Sequence, residues 1–558
     1  MRLLPPLFIG CLALLVASCS GDPVSAKEGA ARKIFLVNNR SDPAYLDLQR
    51  SNSVGDHQIQ LAMAEGLVAE SRATDREVEP GVAERWEANA DNSVWTFHLR
   101  KNARWSDGVP VTARDFVWSY RRMLQKQLGA EYSIMLSQLL KGGQEYYDRA
   151  GTPAEKMAAE NGPGVRAVDD HTLEIILVGP TPHFPAVVCH TSWWPVPQHA
   201  IEKHGGFLDV MNPWTDPGNM VSNGPFKLKA FLFRQYLEVE RNPHYWDAAT
   251  VKLNGVRFYP ITQAGTEEKL FRRGQLHATY ATPLNKIPGY LADHPDVVKN
   301  YGNCATWFMR INTKRGPLGD VRVRRALGFA FDRQSLIDNV LRANETPAWG
   351  FVPPLEGYDG AKEFRFDPAE AQRLLAEAGF PGGKGFPDNL SILISKNESA
   401  AMVAEAAQAM WRRHLGISIG ILQQEFNVYN KAQTLGEYDI AFAGWNADYY
   451  DPITFIDMFI TGGGNNRTGW SSAAYDKLVS DAQQCADGTQ RFRILREAET
   501  VLLRDAPVLP LYYGVRTRLI HPAVQEWQPR LLDNRLWKYM DLISPPPPSS
   551  MDDELARD

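Results

Sequence analysis

The sequence has few of the features that mark several large classes of protein. Its 558 residues contain five cysteines, and two of them, Cys11 and Cys19, lie within the first nineteen positions. The other three permit at most one disulfide, and neither a Cys-x-x-Cys pair nor a His-Glu-x-x-His cluster indicates a zinc site. The fold must therefore depend on buried apolar surface, and we expect no metal and no cofactor.

An excess of positive charge is also absent. Sixty Lys and Arg residues against 65 Asp and Glu residues give a formal charge of −5, so there is no electrostatic basis for nucleic-acid binding. After the N-terminus no apolar run approaches the length needed to span a bilayer. With 44% hydrophobic and 22% charged residues, the composition is that of a globular protein. At about 150 residues per domain, the length predicts three or four structural units.

Catalytic motifs are missing as well. The sequence has no Gly-x-Ser-x-Gly motif and no phosphate-binding loop of the Walker type. Residues 379–385 are rich in glycine, but their spacing is wrong and no Ser or Thr follows the lysine, so we interpret them as a plain loop. The 12 histidines are scattered along the chain. The sequence thus favours a protein that is not an enzyme, although a triad assembled from distant positions stays open.

The N-terminus has the order of a bacterial secretion signal. Arg2 precedes a mostly apolar run, which ends in small residues immediately before Cys19. The sequence Val-Ala-Ser-Cys resembles a lipobox, whose cysteine is acylated and becomes the mature N-terminus. We therefore expect residues 1–18 to be a signal peptide, Cys19 to carry a lipid, and residues 19–29 to form a lipidated tether. A plain signal peptide cut at a nearby small residue is the alternative.

Local patterns predict a mixture of strands and helices. Residues 95–100 alternate between apolar and polar side chains, as a half-buried strand does. Thr112, with an aspartate three positions later, predicts a helix that begins with a capping box. Asp367 and Gly379 are typical start and stop signals of another helix. The proline-rich and then acidic residues 544–558 predict a disordered tail.

Five sequence blocks follow one another in a recognisable order. They are Val94-Trp95-Thr96-Phe97-His98-Leu99-Arg100 continuing to Phe116-Val117, Ser222-Asn223-Gly224-Pro225-Phe226 with Asn242-Pro243-His244-Tyr245-Trp246, Ile311-Asn312-Thr313 with Asp320-Val321-Arg322-Val323-Arg324-Arg325-Ala326-Leu327, Gly444-Trp445-Asn446-Ala447-Asp448-Tyr449-Tyr450-Asp451-Pro452, and Pro507-Val508-Leu509-Pro510-Leu511-Tyr512-Tyr513. Together they closely resemble the oligopeptide/dipeptide-binding proteins of ABC importers, extracytoplasmic solute-binding protein family 5. The likeness covers roughly residues 33–540.

The resemblance implies a fold and a role. The fold is α/β, a two-lobe clamp of the periplasmic-binding-protein type (class II) with an additional α+β domain inserted in the first lobe. The lobes would close on a peptide by a hinge near Asn303 and Gly514. A monomeric receptor, held at the membrane by its lipid, would then present the peptide to the permease. The implied divisions are lobe I at 30–64, 190–303 and 514–543, the extra domain at 65–189, and lobe III at 304–513.

The resemblance also implies ligand-binding residues. A receptor for many peptides can bind their backbone as an added strand and hold their charged ends. In the resembling family, the stretch matching Gly444-Trp445-Asn446-Ala447 offers main-chain hydrogen bonds, and the aspartate matching Asp448 pairs with the peptide α-ammonium. Ser53-Val54 matches a second strand-like contact, and Phe426 matches an aromatic wall of the ligand pocket.

This sequence departs from the family pattern where the peptide carboxylate would bind. Phe442, Gln433 and Ala400 stand at positions where the family carries basic or histidine residues, and Arg342 alone keeps a positive charge in that region. Carboxylate binding is therefore in doubt, and Phe442 instead favours apolar side chains. Asn446 stands where the partner of Cys304 would be, so we predict that Cys304 is unpaired.

Other functions remain as alternatives. The same fold can hold a non-peptide or cell-wall-derived ligand. A periplasmic hydrolase would cleave peptides and lose that activity on a single His or Ser substitution. A chaperone-like protein would bind unfolded chains in preference to short peptides.

Overall fold

A computed structural model of the chain describes residues 24–51, 53–209 and 211–551. The expected signal peptide and the expected lipid site at Cys19 lie outside these residues. The strands are β1 (Ile34–Asn38), β2 (Val68–Glu70), β3 (Val78–Pro80), β4 (Ala83–Ala88), β5 (Val94–Leu99), β6 (Val165–Asp169), β7 (Thr172–Ile176), β8 (Phe226–Leu232), β9 (Tyr236–Arg241), β10 (Gly255–Tyr259), β11 (Val298–Ile311), β12 (Thr346–Pro347), β13 (Ser391–Ser395), β14 (Gly420–Gln424), β15 (Ile440–Asn446), β16 (Val508–Leu519), β17 (Val524–Gln525) and β18 (Asp541–Leu542).

Helices fill the connections between these strands. They are α1 (Ala26–Arg32), α2 (Val54–Met63), α3 (Ala113–Met123), α4 (Ser133–Leu139), α5 (Gly143–Asp148), α6 (Pro153–Ala158), α7 (Phe184–Val187), α8 (Gln198–His204), α9 (Ala264–Arg272), α10 (Ile287–Asp293), α11 (Val321–Phe329), α12 (Arg333–Leu336), α13 (Pro368–Glu377), α14 (Glu398–Leu415), α15 (Phe426–Thr434), α16 (Ile453–Ile456), α17 (Ala473–Gln483) and α18 (Gly488–Asp505). Within the described ranges, no helix is both long enough and apolar enough to span a membrane.

Three sheets of four or six strands organise the described chain, beside two small sheets formed by β2-β3 and β17-β18. One has the strand order β1-β10-β9-β8, in which β1 and β10 are parallel. A second, wholly antiparallel sheet has the order β4-β5-β7-β6. The third has six strands in the order β12-β16-β11-β15-β13-β14. The largest apolar core extends from the second sheet to the third, and a separate core surrounds the first sheet.

Local sequence signals are confirmed where they are strong. Thr112 is the N-cap of α3, and its N–H donates to Asp115 Oδ2 at 2.7 Å, which completes the capping box. Asp367 caps α13 by accepting from the Glu370 N–H at 3.1 Å. The side chains of β5 alternate in burial as its sequence predicts, because Trp95, Phe97 and Leu99 point into the core.

Two long strands, β11 and β16, connect the six-stranded sheet with the residues that adjoin the first sheet. β11 and β16 pair antiparallel along their length, with an irregular register between Gly302 and Thr306. A Cβ at Gly514 would overlap the Asn303 side chain there, so the close approach of the two strands requires glycine. Beyond the end of β16, Ile520 bridges to Ala278, which also bridges to β1. The chain thus crosses twice between the two sheets at this point.

Both ends of the described part of the chain are more ordered than the sequence predicts. The expected tether is wrong from Val24 onward, because Ala26 is buried and its N–H donates to Gly274 O at 2.6 Å. The expected disordered tail is wrong for residues 544–551. Met551 is 1% exposed in an apolar cluster, and the Ser550 N–H donates to Asp296 Oδ2 at 2.9 Å. The buried Met551 side chain and the Ser550–Asp296 hydrogen bond both connect this segment to the rest of the chain, which the proline and acidic composition did not indicate.

Candidate functional site

Strand β15 has one edge that is only partly paired. β11 pairs with all of β15, whereas β13 pairs only with Ile440 and Ala441. In the described chain no strand pairs with the β13-side edge from 442 to 446, which we call the open edge. The Ala447 N–H donates to Cys304 O at 2.8 Å on β11. Because the bonding direction alternates along an antiparallel strand, the backbone N–H and C=O groups of Trp445 and Ala443 also point toward β11. The N–H and C=O groups of Gly444 and Asn446 therefore face the open edge.

An aromatic stack covers one face of β15. Phe442 is 4% exposed and stacks on Trp307 at 5.4 Å between ring centroids, and Trp307 stacks in turn on Tyr512 at 6.1 Å. A Cβ at Gly444 would lie 2.9 Å from the Trp307 ring, so the stack needs glycine at this position. Trp445 points to the opposite face, where its Nε1 donates to Thr454 O at 2.9 Å.

Asp448 follows β15 directly and is enclosed by residues from distant parts of the chain. Its side chain is 13% exposed, and Oδ1 accepts from the Tyr132 hydroxyl at 3.1 Å. Oδ1 also lies 3.6 Å from His190 Nε2. Burial, with the nearby His57, lowers the pKa of His190 to about 3, so this imidazole is neutral at physiological pH. Burial also raises the pKa of Asp448 to about 7. Within the part of the chain that the structure describes, this carboxylate has no charged cationic partner.

A small cavity of about 30 Å³ adjoins Asp448. Tyr132, His183 and Asp457 are among its lining residues. Burial and the neighbouring Asp448 carboxylate raise the pKa of Asp457 well above its usual range. A larger depression of about 750 Å³ lies elsewhere, along α3 and β6, and contains none of the predicted ligand-binding residues.

Two predicted contacts lie differently from the expectation. Ser53 has an extended backbone, but it is the N-cap of α2 and accepts from the Asp56 N–H at 3.2 Å. Val54 is already helical, so only Ser53 of this predicted contact has an extended backbone. Arg342 is exposed at the end of a short helical turn, where its Nε donates to Asp338 O at 3.3 Å. Its hydrogen bonds do not reach the other predicted site residues.

Other predicted residues come together around the open edge. Phe426 is half-buried at the start of α15, with the Arg40 guanidinium 5.3 Å from its ring centroid. Asn446 Oδ1 accepts from Asn303 Nδ2 at 2.9 Å and from Arg516 Nη2 at 2.8 Å, which links β15 to both crossing strands. The sequence prediction for Cys304 is confirmed, because this cysteine is free and buried.

The sequence did not reveal several groups near the site. Tyr132 and His190 carry no local signal, since they reach Asp448 only through the fold. Arg310 did leave a signal, as the one charged residue between Trp307 and Ile311 in a strand that is otherwise apolar there. In the described ranges no group of three or more His, Cys, Asp or Glu side chains is placed to hold a metal ion.

Comparisons with known proteins give the family. Residues 77–467 match the family model described as bacterial extracellular solute-binding proteins, family 5 Middle. The periplasmic oligopeptide-binding protein OppA of Salmonella typhimurium is 34% identical over 528 residues, which cover 92% of this chain and 94% of that protein. The match therefore extends over nearly the whole length of both chains.

Solved structures of relatives share this fold but differ in the relative position of their two lobes. OppA of Haemophilus influenzae in complex with the peptide RPPGFSPFR is 30% identical and superposes with a TM-score of 0.83, covering 92% of this chain and 99% of that one. The unliganded open form of the murein tripeptide binding protein MppA is 31% identical and has a TM-score of 0.64, covering 92% and 97%. The lobes of this protein are thus arranged more as in the peptide complex than as in the open form. The expected α/β two-lobe clamp is confirmed. The chain belongs to family 5 of the bacterial extracellular solute-binding proteins.

Proposed function

We propose that this protein is an extracytoplasmic receptor that binds peptides and delivers them to the permease of an ABC importer. The relatives named above as periplasmic oligopeptide-binding proteins support this function. The observation that carries it is the enclosed Asp448 carboxylate, which has no cationic partner in the described chain and lies at the end of the open edge. A buried charge of this kind is costly unless a ligand supplies the opposite charge.

The peptide would bind as a strand added to β15. The outward N–H and C=O groups of Gly444 and Asn446 would form hydrogen bonds with the peptide backbone, which all peptides share. The α-ammonium would then pair with Asp448, and the carboxyl end would lie toward Phe442. Affinity would thus depend on the backbone and the termini of the peptide. The aromatic stack of Phe442, Trp307 and Tyr512 would limit the space for the peptide side chains.

The same proposal assigns the lobes. The sheet containing β1 would belong to lobe I, made of 30–64, 190–303 and 514–543, the β4–β7 sheet to the extra domain at 65–189, and the six-stranded sheet to lobe III at 304–513. The crossing of β11 and β16 near Asn303 and Gly514 supports a hinge at that place. Contacts from Tyr132 and His190 to Asp448 would form as the lobes close.

The location follows from the same reasoning. We propose secretion with removal of residues 1–18, acylation of Cys19, and attachment of a monomer to the membrane through this lipid. The periplasmic relatives support the compartment. Growth in radiolabelled palmitate should label the wild type and leave the Cys19→Ser variant unlabelled; equal labelling of both would contradict the lipid site.

Competition in native mass spectrometry tests the function. The protein is mixed with two pools of pentapeptides of random sequence, one with free and one N-acetylated amino termini, that differ by the acetyl mass. We expect complexes with the free-amine pool to dominate by about a hundredfold or more, because the acetylated terminus cannot neutralise Asp448. Equal occupancy by both pools would contradict the role of Asp448. Progressive cleavage of bound peptides would favour the hydrolase alternative instead.

A further inference from the structure

Arg310 is a buried arginine that forms no direct ion pair in the described chain. It lies on β11 opposite Ala441 of β15, and 4% of the residue is exposed. Its Nη1 donates to Gln433 Oε1 at 2.7 Å, and its Nε is buried with no hydrogen-bond partner. Arg310 forms no salt bridge with any described residue. Burial, together with the nearby Arg467, lowers the pKa of Arg310 to about 10.

Two further arginines lie near the same place. Arg467 is a half-buried residue whose Nη1 donates to Asn430 Oδ1 at 2.6 Å and whose Nη2 pairs with Glu131 at 2.8 Å. Arg40 comes from the other lobe and places its guanidinium 5.3 Å from the Phe426 ring centroid and 5.9 Å from that of Tyr280. Neither contact gives Arg40 an anionic partner. We call Arg40, Arg310 and Arg467 the arginine cluster.

Tyr429 shows that the cluster adjoins the open edge. Its hydroxyl donates to Phe442 O at 2.7 Å, and this carbonyl faces the open edge. Burial raises the pKa of Tyr429, while Arg310, Arg467 and Arg40 all act electrostatically in the opposite direction. All three guanidinium groups are therefore close enough to influence this hydroxyl, at the end of the open edge away from Asp448.

The charges at this end do not balance. Glu131 is the acidic group that acts on Arg310 and that pairs with Arg467, so one carboxylate stands against three guanidinium groups. Uncompensated cations in a site with so little exposure are costly, and an anion that arrives with the ligand would remove that cost. Phe442 and Gln433 stand at positions where the resembling family carries basic residues. The Arg310 guanidinium extends from β11 to the Gln433 side chain on α15.

We propose that the arginine cluster binds a carboxylate at the distal end of the ligand, in place of the basic side chains absent from positions 433 and 442. This inference rests on the proposed function, since it adds a second charged contact to the same peptide. Phe442 and Asp448 are six residues apart, which corresponds to at most about 20 Å, since β15 is extended as far as Asn446 and the chain bends at Asp448. A peptide of about four to six residues would span that distance with its ammonium at Asp448 and its carboxylate at the cluster.

Calorimetry with paired pentapeptide pools tests the inference. Both pools have free amino termini, and they differ only in a free or an amidated carboxyl terminus. We expect the wild type to prefer the free-carboxylate pool by about tenfold or more, the range for a charge-assisted hydrogen bond. Arg310→Gln and Arg40→Gln should each reduce this preference at least threefold. Arg40 is half-buried, so its variant keeps the test valid if Arg310→Gln folds poorly.

Arg324→Gln is the matched control. Arg324 is also buried, but its guanidinium donates to the backbone carbonyls of Asp505 and Leu318. This variant should lower the melting temperature and leave the carboxylate preference unchanged. Equal binding of both pools by the wild type would overturn the inference, while the dependence on a free amine would still support the proposed function. Failure of every pool to bind would overturn both.

Discussion

Replacing Asp448 by asparagine removes the charge of the enclosed carboxylate and keeps its shape. In the closed structure burial raises the pKa of Asp448 from 3.8 to about 7. At 1.36 kcal/mol per pH unit, ionising this group in the empty site costs about 4 kcal/mol. The ligand ammonium must offset this cost. We therefore expect Asp448→Asn to weaken binding of free-amine peptides by roughly a hundredfold to a thousandfold at pH 8.

The raised pKa of Asp448 also determines the direction in which peptide affinity should change with pH. A carboxyl whose pKa is raised on closure binds a proton more tightly in the closed, empty form, so that form becomes less favourable as the pH rises from about 4 to about 7. An ammonium requires the ionised carboxylate, so ligand binding expels that proton. For ligand-free protein in the closed form, affinity for free-amine peptides should therefore increase up to about pH 7 and fall again above about pH 8, where the peptide α-ammonium loses its own proton.

The assay is calorimetry with one peptide pool in free-amine and N-acetylated forms, at pH 5.5 and pH 8. The wild type should discriminate strongly at pH 8 and less at pH 5.5, and Asp448→Asn should show neither the discrimination nor the pH dependence. The ligand-free variant should melt no lower than the wild type at pH 8, since it lacks a buried charge. An equal loss of affinity for both forms, with a lower melting temperature, would mean that Asp448 only maintains the fold.

Three further predictions concern groups near the open edge. Gly444→Ala places a Cβ 2.9 Å from the Trp307 ring, so thermal unfolding should show a loss of about 1–3 kcal/mol; an unchanged melting temperature would contradict the packing described here. Tyr132→Phe removes the hydroxyl that donates to Asp448, so the pH midpoint of peptide binding should move upward, and a downward move would contradict that contact. Cys304 is free and 3% exposed, so without reductant an alkylating reagent should modify it only after unfolding; finding it in a disulfide would contradict this.

Much of the framework follows from local sequence. The capping box at Thr112 and the start signal at Asp367 predict α3 and α13 because both signals act within four residues. The Gly-Trp-x-Ala-Asp block, found through its resemblance to the family, lies at the end of β15 and directly after it. Where the residues that determine a structural element are close together in the sequence, the predicted element agrees with the observed one.

Groups brought together by the fold could not be predicted in this way. Tyr132 and His190 reach Asp448 from more than 250 residues away in the chain, and their own surroundings give no hint of it. Arg342 had the right charge but lies at an exposed turn, while Arg310 contacts Gln433 from a neighbouring strand. Ser53 shows a related limit, because its match to the family did not reveal that this serine is the N-cap of α2.

Hydrogen exchange at single residues in β15 tests the central claim most directly. The Gly444 and Asn446 N–H groups face the open edge, whereas those of Ala443 and Trp445 face β11. Adding the free-amine peptide pool should slow exchange at Gly444 and Asn446 and leave Ala443 and Trp445 nearly unchanged, because an added strand bonds only the outward groups. Unchanged exchange at Gly444 and Asn446 under saturating peptide would contradict binding by strand addition at this edge.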